Sequence, residues 1–118
     1  MELLFIVLNQ KEFLLDILDG FVEKGIKGAT VVDSSGMCHL VADHIPFFSH
    51  FAEIEGEKNH SKTIFTVVDG EVQRNKAVSI VEEILGSLDK PDSAFIFSVP
   101  VNFIKGSSSC HDGSESIR

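Results

Sequence analysis

Two stretches of this chain carry the same strand–helix–strand order, and that repetition limits what it can fold into. Leu3-Leu4-Phe5-Ile6-Val7-Leu8 is a continuous apolar run of strand length. From Lys11 to Lys24, apolar residues fall at helical spacing. Phe13, Leu14, Ile17, Leu18, Phe21 and Val22 make one face, while Glu12, Asp16, Asp19 and Glu23 lie elsewhere. Gly25 is a natural stop, since glycine tolerates positive φ. Ala29-Thr30-Val31-Val32 reads as a second strand. The order then recurs: Thr63–Val68 as strand, Val72–Leu85 as helix, Ala94–Val99 as strand.

The six elements in that order are a split β-α-β arrangement, βαββαβ. They predict an α+β, ferredoxin-like sandwich: a four-stranded antiparallel sheet with both long helices on one face, because each helix has a single apolar stripe. Asn9 with Glu12 predicts a capping box for the first helix, and Asp69 a cap for the second. Gly86 or the Lys90-Pro91-Asp92 turn ends that second helix. Pro100 lacks an N–H, which places it at an edge or a bulge, and Asn102-Phe103-Ile104 reads as a short extra strand. Between the halves, Asp33 to Gly36 has loop composition, Met37–Val41 reads as resumed strand, Pro46 to Ile54 as a short helix, and Glu55 to Ser61 as loop. From Gly106 the chain is rich in glycine and serine. The domain is therefore expected over 1–106 and a flexible tail over 107–118.

Charge and composition remove several function classes. The net charge is −8, which repels phosphate backbones and argues against nucleic acid as a partner. The basic residues are scattered, and the first apolar run ends at Asn9, too short for a membrane span or a signal peptide. Cys38 and Cys110 are far apart and form no disulfide framework, so a cytoplasmic location is expected. Leu4, Ile6, Ile64 and Ile96 alternate with Phe5, Val7, Phe65 and Phe97. Both faces of the sheet are then apolar, the helices cover only one, and another copy must cover the second.

The run Gly25-Ile26-Lys27-Gly28-Ala29-Thr30-Val31 resembles the Gly-Ile-x-Gly-x-Thr-Val stretch of the P-II nitrogen-regulatory proteins. The order of elements is similar over roughly residues 1–106. The resemblance implies a homotrimeric signal-transduction protein that holds a small-molecule effector in clefts between subunits. It also implies contact with protein partners through a long loop, here Ser34 to Lys62. It points to Thr30, Gly36 and Lys105 as cleft residues; Arg74, on the second long helix, could also reach an anion there, although a solvated helix face accounts for it as well. His44, Phe47, Phe48 and Phe51 are the expected recognition residues of the loop, with the phenylalanines anchoring it.

The departures from the family are specific. Its glycine-rich, nucleotide-binding turn reads Leu88-Asp89-Lys90-Pro91-Asp92-Ser93-Ala94 here, with Ala94 or Phe95 where a phosphate-binding lysine would stand. Loss of those glycines removes a backbone anion cradle. The Gly-x-Gly-x-Gln pattern reads Gly36-Met37-Cys38-His39-Leu40, and the chain has no tyrosine. Fold and trimer carry over; ATP, magnesium and 2-oxoglutarate do not, and no cofactor is named.

Cys38 and His39, with His44, His50 and His60 in the same region, are ligand types for zinc or copper, but no C-x-x-C pair accompanies them and polar loop residues account for them better. Cys110-His111-Asp112 has nucleophile and base types in a tail that cannot hold them in place, so no enzyme is expected. The expected function is a P-II-like small-molecule sensor or partner-binding trimer. The alternatives are a metal-responsive trimer of the divalent-cation-tolerance type and a ligand-free protein-interaction trimer.

Overall fold

The computed structural model describes residues 1–42 and 60–106. Strand β1 (Glu2–Leu8) is hydrogen-bonded on both sides, to β3 (His60–Val68) and to β4 (Ala94–Pro100). Strand β2 (Thr30–Ser35) adds to the far side of β3, and the sheet order is β2-β3-β1-β4, antiparallel throughout. A 3₁₀ turn over Lys11–Phe13 leads into α1 (Leu14–Glu23); the other helices are α2 (Met37–Ala42) and α3 (Glu71–Leu85). This is the expected ferredoxin-like α+β fold.

Side chains alternate along β1: Leu4, Ile6 and Leu8 are 0–1% exposed, while Leu3, Phe5 and Val7 face the other way and are half-buried. The buried set packs with Ile17 and Phe21 of α1, Ile64 of β3, and Ala77, Ile80, Val81 and Leu85 of α3. Both long helices thus share one face of the sheet. They approach closely at Gly20, where an added Cβ would lie 2.7 Å from Ile80 Cγ2.

The Gly25–Val31 run has a local explanation. Gly25 adopts φ +86°, its N–H bonds to Val22 O at 3.1 Å, and Ile26 N–H bonds to Phe21 O at 2.8 Å. That pair of bonds is a Schellman cap, with the buried side chains of Ile26 and Phe21 as its apolar contact. The buried hydroxyl of Thr66 donates to Gly28 O, fixing the start of β2.

Several local expectations are corrected. Asn9 does not cap α1. Its N–H donates to Ser93 O at 3.0 Å, so it prolongs the β1–β4 ladder, and Gln10 precedes the 3₁₀ turn without a side-chain cap. Gly70, not Asp69, precedes α3, and Gln73 Oε1 accepts the Asp69 N–H at 2.7 Å. Asp33, Ser34 and Ser35 are strand, paired with Lys62, Ser61 and His60. Met37–Val41 is helical, with Met37, Leu40 and Val41 at one-face spacing. Asn102–Ile104 forms no strand; the β1–β4 pairing ends with the Val101 N–H donated to Met1 O at 3.1 Å. The helix expected from Pro46 to Ile54, most of the 55–61 loop and the 107–118 tail lie outside the described residues. No helix among the described residues is long and apolar enough to cross a membrane.

The close helix crossing yields a test. Gly20→Ala, although favoured by helix propensity, should destabilise the protein by about 1 kcal/mol because Ile80 must move. In an Ile80→Ala background the same change should become stabilising. Urea denaturation of the four proteins of the cycle measures both.

Candidate functional site

The described helices leave the opposite face of the sheet uncovered. Register puts Thr30, Phe65, Phe5 and Phe97 in one row across all four strands. The Phe5 ring lies 4.7 Å from Phe97 in a stacked arrangement and 5.5 Å from Phe65; Phe95 and Phe97 are 5.7 Å apart. Phe95 is 64% exposed, Phe97 41% and Val99 39%, a concentration at the β4 edge. Large exposed apolar patches are common at interaction sites.

The β2 end of the same sheet is polar. Ser34 Oγ lies 2.7 Å from Ser61 Oγ and 2.8 Å from Thr63 Oγ1, and Ser35 Oγ lies 3.2 Å from His60 Nδ1. Lys62 bonds to Asp33, and this partner holds the Asp33 carboxyl below its ordinary range. These cross-strand contacts extend the β2–β3 pairing beyond its apolar part.

A third cluster ties α3 to the sheet. Ser98 Oγ donates to Glu2 Oε1 at 2.9 Å, and Arg74 Nη1 donates to both Glu2 oxygens at 3.2 Å. The Ser98 hydroxyl, with the Arg74 guanidinium beside it, keeps the Glu2 carboxyl below its usual value against the opposing effect of burial. Arg74 also reaches Glu71 at 3.6 Å. It lines a groove of about 420 Å³ between α3 and β4, floored by Ala94, Ile96 and Ser98.

The turn after α3 is closed on itself. Lys90 Nζ donates to Leu85 O at 3.0 Å, and Ser93 Oγ approaches Lys90 O at 3.0 Å and Leu88 O at 3.2 Å. Ser87 Oγ accepts the Asp89 N–H at 3.2 Å. Lys90 therefore caps the C-terminal end of α3, the helix that precedes it.

The four expected cleft residues do not converge within one copy. Thr30 lies on the β2 edge, while Arg74 sits over β1 and β4, two to three strand spacings or about 10–14 Å across the sheet. Gly36 follows the opposite end of β2, about 20 Å along the strand from Thr30. Lys105 is exposed beyond β4. Cys38 and His39 lie on α2. Among the described residues no group of three or more His, Cys, Asp or Glu could hold a metal ion. His44, Phe47, Phe48 and Phe51 lie outside the described residues. Sequence reasoning did not find the Glu2–Arg74–Ser98 cluster or the Ser34–Ser61–Thr63 cluster; neither has a local signature, since their members meet only through strand pairing and, for Arg74, through the packing of α3 on the sheet. No family model matches the chain, and no curated protein matches it.

The lowered Glu2 carboxyl has a defined pH consequence. Its stabilising effect is present above the unfolded-state pKa and is lost as pH falls through the lower folded-state value. Glu2→Gln should therefore lower Tm at neutral pH, with the difference from wild type closing as pH drops from about 5 toward 3. Calorimetry across that range, with a gap that does not narrow, would reject the assignment.

Proposed function

We propose that this chain is a non-enzymatic, P-II-like regulatory protein that acts as a cytoplasmic homotrimer, taking a small-molecule effector between subunits or a protein partner through the 34–62 segment. The observation that carries the reading is the uncovered phenylalanine row. A single-layered sheet with aromatic rings on its open side needs a partner surface, and closed homo-oligomers supply one from the same gene product. Thr30 at one end of the row, and Gly36 and Lys105 outside it, are candidates for clefts formed between copies, since they share none within one copy. The 34–62 segment leaves from a firm base, because Ser34 and Ser35 pair with Ser61 and His60. A binding rather than catalytic role fits the polar clusters: the Ser35–His60 contact is exposed, and the neighbouring Asp33 is engaged by Lys62.

The self-closed 86–93 turn favours a second reading, a trimer that binds proteins without any nucleotide. Under both readings ATP should bind weakly or not at all. Thermal-shift screening with ATP, 2-oxo acids and divalent cations separates the cases, because a ligand at about 100 times its Kd stabilises by about 2.7 kcal/mol. A shift with a divalent cation alone would move the reading to a metal-responsive trimer. Sedimentation should show a trimer or a multiple of it, and Phe65→Lys, placing a charge in the middle of the row, should dissociate the three-fold contact. A monodisperse wild-type monomer at micromolar concentration would overturn the proposal.

A further inference from the structure

The free edge of β4 carries a self-complementary row of backbone groups. Two bonds set the phase of the β1–β4 ladder: Asn9 N–H to Ser93 O at 3.0 Å and Val101 N–H to Met1 O at 3.1 Å. Bonded and non-bonded pairs alternate in an antiparallel ladder. The bonded pairs between those two are therefore Leu3 with Val99, Phe5 with Phe97 and Val7 with Phe95. Ala94, Ile96 and Ser98 then turn their N–H and C=O groups away from β1, toward the edge. Among the described residues β4 has no neighbour on that side.

Edges of this kind are normally blunted by charge, proline or a covering element. The same counting on the opposite edge turns Val31, Asp33 and Ser35 outward, and there the Asp33–Lys62 ion pair sits on the rim. On β4 no charged residue occurs from Ser93 to Ile104. In a chain of net charge −8, this is a stretch where copies do not repel each other. Pro100 interrupts the outward donors just past Ser98, so it limits the length of any pairing without preventing it.

We propose that β4 pairs antiparallel with β4 of a second copy, about a two-fold axis at Ile96. Ile96 then opposes the partner subunit's Ile96, and Ala94 opposes the partner's Ser98. All three outward-facing residues fall on bonded pairs, so the row matches itself without a bulge. The intervening residues match as well. Phe95 stands opposite the partner's Phe97 in the closer, non-bonded spacing at which aromatic pairs interact. On the helix side, Ile96 lies on the floor of the groove beside Val78 and Leu88, and the two-fold axis merges the two grooves into one trough whose lining also includes Arg74 and Ser98. This contact uses the strand edge; it is separate from the three-fold contact through the face and joins whatever assembly that face makes.

Single cysteines test it, in a chain whose own cysteines are replaced (Cys38→Ser, Cys110→Ser). Ile96→Cys should form a covalent dimer under mild oxidation, because a bonded antiparallel pair has a Cα separation of about 5.5 Å, within disulfide range. Val99→Cys should not, since the axis puts its two copies about 20 Å apart along the strands. Failure of Ile96→Cys to cross-link, or equal cross-linking of Val99→Cys, would overturn the proposal. Adding Phe65→Lys to Ile96→Cys should leave the cross-link intact even where the three-fold contact is lost, which separates the two contacts. Ala94→Pro removes an outward N–H at the first residue of the strand and leaves the bonds to β1 untouched. It should weaken edge association by at least about tenfold in sedimentation; unchanged association would also overturn the proposal.

Discussion

Strand β1 is the constraint on which the other elements depend. Because it is paired on both sides, its backbone groups are spent within the sheet, and its side chains divide into two apolar sets. Leu4, Ile6 and Leu8 are buried under α1 and α3. Each such side chain contributes about 1.5–3 kcal/mol of burial, so the helices are held to that face. Leu3, Phe5 and Val7 are then committed to the opposite face, where the described helices offer nothing. The uncovered phenylalanine row is the necessary consequence of a central strand that is apolar at every position from Leu3 to Leu8.

The letters that carry the resemblance to the P-II proteins are accounted for by folding. Gly25 supplies a positive φ, Ile26 closes the Schellman cap over Phe21, and Gly28 accepts the Thr66 hydroxyl. A chain that turns from this helix into this strand benefits from that run whatever it binds. The turn after α3 directs its lysine and serine to nearby carbonyls of Leu85 and Lys90. A ferredoxin-like scaffold hosts many functions, so the fold by itself names none of them.

The polar residues sort to the rims. Glu2, Arg74 and Ser98 clamp α3 to β1 and β4; Asp33 with Lys62, and Ser34 with Ser61 and Thr63, hold β2 to β3. The β2 edge is thereby polar and ionic, while the β4 edge is uncharged and aromatic. The two edges of one sheet present opposite surfaces to a neighbouring molecule.

Period and composition determined much of this protein. The strand-length apolar runs in Leu3–Leu8 and Thr63–Val68, and helical spacing in Phe13–Val22, each reflect one side chain's own contest between water and core, so they were legible locally. Gly25 and Gly86, both at positive φ, were legible as helix stops for the same reason. Misreadings arose where a residue's state depended on a distant partner. Ser34 and Ser35 have loop composition, yet they are strand because Ser61 and His60 lie opposite them. Asn9 has capping chemistry, yet Ser93 holds it in the ladder. Tertiary structure alone decided which strands lie at the edges, that Thr30 and Arg74 stand apart, and which backbone groups of β4 point outward. Those facts follow from strand order and ladder phase, and both are set by pairing between segments tens of residues apart, for which no local pattern of residues exists.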